Sequence, residues 1–196
     1  MSPIELQAKA TFSEASLSPY RKRLLWCSSH EVERRMGIVM DCFRHLGDES
    51  GWRLMSEEWE YLETTICCLP LMQIFWSTSQ LRNVRRWFMT PDEYIVYKSL
   101  PAQITAWRGC GSEEAQFGLS WTTDRSVAER FAQYSVGPRR RSFRMAGTKA
   151  RLVEAVVNKA GVFAVKLGRS EHEIVVMPGY LVGVPMVRES QKKDTQ

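Results

Sequence analysis

A change of pattern at Pro101 constrains the fold of this sequence more than any other feature. Before it, apolar residues recur three and four positions apart, as in "EVERRMGIVMDCFRHLG", which is the spacing of one helix face. After it, short runs rich in Val, Ile and aromatic residues alternate with Gly, Asn and Pro, which is typical of strands and turns. Helices followed by strands predict an α+β fold. We expect a helical N-terminal segment over 1–100, a mostly antiparallel sheet core over 101–189 and a tail over 190–196.

Three helix ends in the first half can be read from single residues. Gly47 follows the stripe quoted above and is a plausible helix stop, because glycine tolerates the backbone that ends a helix. A second helix is expected to begin near Ser56, whose hydroxyl can cap a first turn rich in glutamate. Thr90 as a cap and Pro91 at the first helical position predict a further helix that ends before Pro101.

The second half reads as strands around one helix. Six runs are strand-like: "QITAWRGC", "FGLSWTT", "RLVEAVV", "GVFAVKL", "HEIVVMP" and "YLVGVPMV". Between the second and third of them, "DRSVAERFAQY" has an apolar stripe at helical spacing, with Thr123 or Asp124 as its cap. We expect this helix to pack on the sheet.

Composition excludes several classes of protein. With 196 residues, 44% of them hydrophobic, the chain can bury a substantial core. No apolar run reaches the roughly 18 residues of a membrane span, and the N-terminus lacks the apolar core of a signal peptide. The five cysteines are odd in number and have no zinc-binding spacing. We therefore expect a cytoplasmic protein with buried reduced thiols, no bound metal and no membrane partner.

Positive charge is concentrated in one stretch. The chain has a net charge of +5, yet "GPRRRSFRMAGTKAR" alone holds six basic residues and no acidic one. Such a stretch suits the phosphates of a nucleic acid, a dinucleotide or a membrane surface, and it is equally typical of a solvated loop. Its basic residues are Arg139, Arg140, Arg141, Arg144, Lys149 and Arg151.

Two short motifs on predicted strands carry polar groups that a sheet does not need. Arg108 in "AWRGCG" is unusual, since a guanidinium inside a sheet layer is costly unless an anion or a carboxylate meets it. The adjacent Gly109 would let a ligand approach the backbone closely. In "GLSWTT", Ser120 and Thr122 share one strand face and offer two hydroxyls side by side.

The third motif, "RSEHEIVV", has two carboxylates in a strand-like run. Strand alternation would place Glu171 and Glu173 on one face and His172 on the other, which disfavours a metal site made of all three. A salt bridge from Arg169 or Lys166 to the glutamates is the structural alternative to a catalytic role.

Taken together, an Arg-Gly strand, a Ser-x-Thr strand and a Glu-x-Glu strand, in this order, resemble the arginine–serine–glutamate class of mono-ADP-ribosyltransferases. The resemblance covers roughly residues 104–187 and includes the helix after the hydroxyl strand. It implies a split β-sheet core and an enzyme that cleaves NAD and transfers ADP-ribose to an acceptor. One departure is the hydroxyl motif, which reads Ser-Trp-Thr where Ser-Thr-Ser is commoner, so that Trp121 is an added bulky residue expected in the core.

The resemblance also implies a role for each residue. Glu173 would stabilise the oxocarbenium-like ribose, as a carboxylate facing a developing cation does, and Ser120 would hold its side chain in place. Arg108 would meet the pyrophosphate or the nicotinamide ribose, Gly109 the nicotinamide amide, and Glu171 the acceptor nitrogen. The residues expected to bind NAD are Arg108, Gly109, Ser120 and Thr122.

The acceptor is left open by these residues. A Glu-x-Glu pair in this family usually accompanies transfer to protein arginines, whereas the basic stretch favours RNA or DNA. A compact transferase of this kind looks like an intracellular toxin or phage-related effector, which would need an inhibitor or antitoxin. The competing hypothesis is a non-catalytic module that binds nucleic acid or protein.

Overall fold

The computed structural model describes residues 3–28, 31–61, 81–135, 149–168, 172–177 and 180–189. The chain divides into two compact units, residues 1–90 and residues 91–196. No helix in these ranges is long and apolar enough to cross a membrane. The described part of the first unit contains helices α1 (Pro3–Leu25), α2 (Val32–Leu46), α3 (Asp48–Glu58) and α4 (Leu81–Phe88), and a 3-10 turn over Trp59–Tyr61.

Gly47 ends α2, as predicted. Its N–H donates to the carbonyl of Phe43, and its φ of 81° lies in the left-handed region that favours glycine. The predicted start of the next helix near Ser56 is wrong, because α3 begins at Asp48 and Ser56 lies in its last turn. A single glycine thus separates two helices, and Asp48 and Glu49 supply the acidic first turn that the prediction had placed nine residues later.

Aromatic rings form the core of the first unit. Phe43 and Trp52 meet edge to face with ring centroids 4.9 Å apart, and Trp59 meets Phe88 in the same way at 5.4 Å. Gly51 makes this packing possible, since a Cβ at that position would overlap the ring of Phe43. The close contact between α2 and α3 therefore depends on glycine at this crossing.

A buried ion pair fastens three helices of this unit together. Arg35 of α2 donates to Glu58 of α3 at 2.5 Å, and both side chains are less than a tenth exposed. The same guanidinium donates to the backbone carbonyls of Ser28 and Cys27 at 3.0 and 2.6 Å, just after the end of α1, and lies over the ring of Tyr61. Every side of the buried cation thus has a partner, which offsets the cost of removing it from water.

We expect Glu58→Gln to destabilise the protein by about 3 kcal/mol, because it leaves a buried guanidinium without its carboxylate. Glu14→Gln is the matched control, since Glu14 meets Arg21 at 2.8 Å on the surface and its loss should cost about 1 kcal/mol or less. Urea unfolding followed by tryptophan fluorescence measures both. Equal effects of the two substitutions would contradict the structural role of the buried pair.

In the residues that the structure describes, the second unit is a sheet with two α-helices. Its elements are α5 (Pro91–Ser99), β1 (Gln103–Cys110), β2 (Ser120–Thr122), α6 (Arg125–Ser135), β3 (Arg151–Asn158), β4 (Val162–Lys166), β5 (Glu173–Val176) and β6 (Leu181–Glu189). The six strands lie in the order β4-β5-β2-β1-β3-β6, and every neighbouring pair is antiparallel. The predicted α+β class and the antiparallel sheet are confirmed.

Asp124 is the cap of α6, one of the two residues predicted for that role. Its Oδ1 accepts hydrogen bonds from the backbone N–H and the hydroxyl of Ser126, at 2.8 and 2.7 Å. These bonds hold the pKa of Asp124 below its usual value.

Helix α5 belongs with the sheet, although the sequence had placed the boundary after it, at residues 100 and 101. Glu93 of α5 pairs with Lys166 of β4 at 3.3 Å, and both side chains are buried. The other carboxylate oxygen of Glu93 accepts from the backbone N–H of Leu167. Lys159 donates to the carbonyls of Lys98 and Leu100 at the end of the helix. These polar contacts attach both ends of α5 to the sheet.

Candidate functional site

The three strands that carry the motifs are neighbours at the centre of the sheet, in the order β5-β2-β1. Thr122 of β2 lies opposite Glu173 of β5 on one side and opposite Trp107 of β1 on the other. Because neighbouring strands are about 4.8 Å apart, Trp107, Thr122 and Glu173 form one row about 10 Å long. Residues that are far apart in sequence therefore meet on one strip of the sheet.

The sheet opens between β1 and β2. Strand β1 pairs with β3 along all eight of its residues, but it pairs with β2 only at Trp107 and Thr122. Beyond that single pair, the end of β1 and the start of β2 are joined by residues 111–119, which include a 3-10 turn over Glu114–Phe117. On this side of β2, Ser120 and Trp121 therefore pair with no strand that the structure describes.

The guanidinium of Arg108 binds the backbone at this opening. Its Nη1 donates to the carbonyl of Ser120 at 2.5 Å, and its Nε donates to the carbonyl of Ala115 at 2.7 Å. Gly118 lies against the same group, because a Cβ there would overlap Nη2 of Arg108. The side chain thus ties the end of β1 to the start of β2 and to the segment between them.

Arg108 keeps hydrogen-bonding capacity after these contacts. A guanidinium has five N–H donors, and in the described part of the chain the Nη2 amino group makes no hydrogen bond. Burial lowers the pKa of Arg108, and the negative charges of a Cys110 thiolate and of Glu173 oppose that shift. Glu173 is therefore close enough to Arg108 for the two charges to interact.

The residue of β2 that faces Glu173 is Thr122, whereas Ser120 was expected to hold the glutamate side chain. Ser120 lies opposite Val175, two positions from Glu173 along β5, whereas Thr122 lies directly opposite Glu173. Thr122 is buried, and its Oγ1 accepts from the backbone N–H of Asp124 at 3.0 Å. Ser120 takes part in the site through its carbonyl, and its hydroxyl makes no hydrogen bond in the described residues.

The glutamate strand begins at Glu173, which is partly exposed. His172 was predicted to be a strand residue, and that is wrong, because its φ of 44° lies in the left-handed region. Its carbonyl accepts from the backbone N–H of Thr123, which links β5 to the segment before α6. Strand alternation therefore does not extend from Glu173 back through His172. Glu171 lies outside the described residues.

Gly109 has a structural reason to be glycine. A Cβ at this position would overlap the carbonyl oxygen of Ala128 and the backbone nitrogen of Ala132, both in α6. The absence of a side chain is thus explained by the close packing of α6 on β1. A backbone hydrogen bond from Gly109 to a ligand stays a prediction.

We expect Gly109→Ala to destabilise the protein by about 2 kcal/mol, because the added methyl group forces α6 away from β1. Gly37→Ala is the matched control, since a Cβ there meets nothing within 4 Å on an exposed position of α2. Alanine is favoured over glycine inside a helix, so the control should stabilise by up to about 1 kcal/mol. Thermal unfolding measures both variants, and a neutral Gly109→Ala would contradict the packing argument.

Two tryptophans next to the motif residues behave differently. Trp121 is 2% exposed and its indole N–H donates to the carbonyl of Gly118 at 2.8 Å, so its predicted place in the core is confirmed. Trp107 is partly buried, yet its Nε1 is fully buried and finds no acceptor in the part of the chain that the structure describes. Sequence reasoning missed Trp107, although its place beside Arg108 in β1 was a usable signal.

The cysteines in the described ranges are buried and free, as predicted for them. They are Cys27, Cys42 and Cys110. Burial raises the pKa of the Cys42 thiol to about 11 and also raises that of Cys110. Cys67 and Cys68 lie outside the described residues. Within those ranges no three metal-ligating side chains come together.

The basic stretch is described only at its end. Arg139, Arg140, Arg141 and Arg144 lie outside the described residues. Lys149 is exposed, and Arg151 at the start of β3 has its Nη1 3.7 Å from a carboxylate oxygen of Glu113. Arg151 is therefore within ion-pairing distance of a carboxylate.

No family model, no curated protein and no solved structure matches this chain. The site is therefore interpreted from its own residues and geometry.

Proposed function

We propose that the chain is an NAD-dependent mono-ADP-ribosyltransferase with a split-sheet core of that family's type. It would cleave the bond between nicotinamide and ribose and transfer ADP-ribose to a macromolecule. The observation that carries the proposal is the row of Trp107, Thr122 and Glu173 beside the opening where Arg108 lies. Glu173 and Arg108 are close enough for their charges to interact, and a carboxylate and an anion-binding guanidinium are the two charges that the proposed reaction uses.

Glu173 is the proposed catalytic residue. As the bond from ribose C1′ to the nicotinamide nitrogen breaks, its electron pair leaves with nicotinamide and the ribose becomes oxocarbenium-like. A carboxylate fixed at the start of β5 stabilises that positive charge without having to move. Thr122, directly opposite, is the hydroxyl best placed to orient Glu173, a role that the resemblance had assigned to Ser120.

Arg108 is the proposed anion-binding group. Two of its nitrogens are bound to backbone carbonyls, which fixes the plane of the guanidinium. The remaining N–H donors suit phosphate oxygens, and a charge-assisted bond to phosphate would offset the burial that lowers the pKa of this group. The neighbouring Gly118 leaves room for the guanidinium at this position.

We expect Glu173→Gln to reduce nicotinamide release from NAD by about 100-fold or more, because a neutral amide cannot offset the developing charge. The control is Glu129→Gln, which neutralises a surface carboxylate of α6 that pairs with Arg125 at 2.9 Å. Its turnover should equal that of the wild type. Chromatographic measurement of free nicotinamide, with circular dichroism as the check on folding, tests both variants.

Wild-type turnover in a folded Glu173→Gln protein would reject the assignment of Glu173. Absence of nicotinamide release from the wild type with any acceptor would reject the enzyme itself and favour the alternative, a non-catalytic binding module.

Glu171 is proposed to act on the acceptor, where it would take the proton from the attacking nitrogen as the bond to C1′ forms. We expect Glu171→Gln to lower the labelling of macromolecules by about tenfold or more, while hydrolysis of NAD by water changes little. Labelled NAD in cell extract measures transfer, and nicotinamide release without extract measures hydrolysis. An equal loss of both activities would contradict this division of roles.

The same labelled extract identifies the acceptor. We propose a nucleic acid, on the charge of the stretch that contains Arg139, Arg140, Arg141 and Arg144. Label that protease leaves and nuclease removes supports RNA or DNA, and the reverse identifies protein arginine. A role as an intracellular toxin or effector, with a protein inhibitor as partner, belongs to the same proposal.

A further inference from the structure

We propose that the indole N–H of Trp107 donates a hydrogen bond to an oxygen atom of bound NAD, which makes Trp107 a substrate-binding residue. The inference rests on the proposed function and names a contact beyond the arginine, hydroxyl and glutamate motifs.

The first observation is the state of the donor. Nε1 of Trp107 is buried and has no acceptor among the residues that the structure describes. A buried donor without an acceptor is costly, and proteins seldom keep one unless another molecule supplies the acceptor. Its cross-strand neighbours, Thr122 and Glu154, both carry oxygen atoms, yet the indole N–H bonds to neither. The fold thus brings acceptors near Trp107 and leaves its donor unused.

The second observation is the position of the residue. Trp107 forms the only pair between β1 and β2, so it lies where the sheet opens, in the same row as Glu173. The row is about 10 Å long, which is less than the length of an extended dinucleotide. Trp107 as a residue is partly exposed, whereas its Nε1 is buried, so a ligand seated against Glu173 reaches the N–H only when the atoms that cover it move aside.

The third observation is the contrast with Trp121. Trp121 lies between the motif residues Ser120 and Thr122 in β2, and its N–H is already bound to the carbonyl of Gly118 at 2.8 Å. Its hydrogen bond is part of the fold. Of the two indoles beside the opening, Trp107 alone retains a donor for substrate.

The test is Trp107→Phe, which removes the N–H and keeps an aromatic ring. We expect KM for NAD to rise about fivefold to tenfold, as the loss of one hydrogen bond predicts, with kcat within about twofold of the wild type. Trp26→Phe is the control, because Trp26 is 83% exposed in the first unit, and its KM should not change. The rise in melting temperature that NAD induces is measured on the same proteins and should be smaller in Trp107→Phe.

The two measurements separate this inference from the proposed function. A wild type that shows an NAD-induced shift but no turnover rejects the enzyme, and loss of that shift in Trp107→Phe still supports the contact. An active Trp107→Phe with wild-type KM and shift overturns the contact and leaves the enzyme. A wild type with neither turnover nor shift overturns both.

If Trp107→Phe does not fold, the wild-type protein gives the answer directly. The indole ¹⁵N–¹H resonance of Trp107, assigned through its backbone neighbours, should move downfield as NAD is added. A resonance that stays in place while other signals shift would overturn the contact.

Discussion

The second unit depends on how one partly buried guanidinium, that of Arg108, is accommodated. Strands β1 and β2 share a single residue pair, so the carbonyl of Ser120 lacks the strand partner that a continuous sheet would give it. Arg108 supplies the missing donor and binds Ala115 as well. A guanidinium is costly to bury, and a backbone carbonyl is costly to leave unpaired. The hydrogen bond from Arg108 to the carbonyl of Ser120 lowers both costs. The side chain of Arg108 therefore stabilises the opening between β1 and β2.

Two glycines set the shape around that guanidinium. Gly118 lets the segment after β1 close over Arg108, and Gly109 lets α6 pack against the strand itself. A Cβ at either position would overlap existing atoms, so the helix, the strand and the connecting segment are placed within narrow limits. Rigid support of this kind is what a catalytic carboxylate and an anion-binding guanidinium need, because both act through fixed distances.

The sequence predicts elements well where local signals decide them and poorly where pairing decides them. The strand quoted as "QITAWRGC" is β1 residue for residue, and Gly47 ends its helix, because alternation and glycine backbone preference are local properties. The residue opposite Glu173 depends on the register between β2 and β5, which no single strand contains. The left-handed backbone of His172 was hidden for the same reason, since its carbonyl bonds to Thr123, almost fifty residues away in sequence.

The position of Glu173 depends on a chain of pairings that starts at the edge of the sheet. Lys166 lies opposite Glu173, and its buried pair with Glu93 holds the end of β4 against α5. A slip of β5 by one residue would turn Glu173 to the other face of the sheet and bring Ile174 into its place. It would also move apolar Ile174 away from the buried side, where it is 1% exposed. The buried pair of Lys166 with Glu93 and the burial of Ile174 thus favour the same register of β5. Contacts outside the proposed chemistry therefore set the position of Glu173.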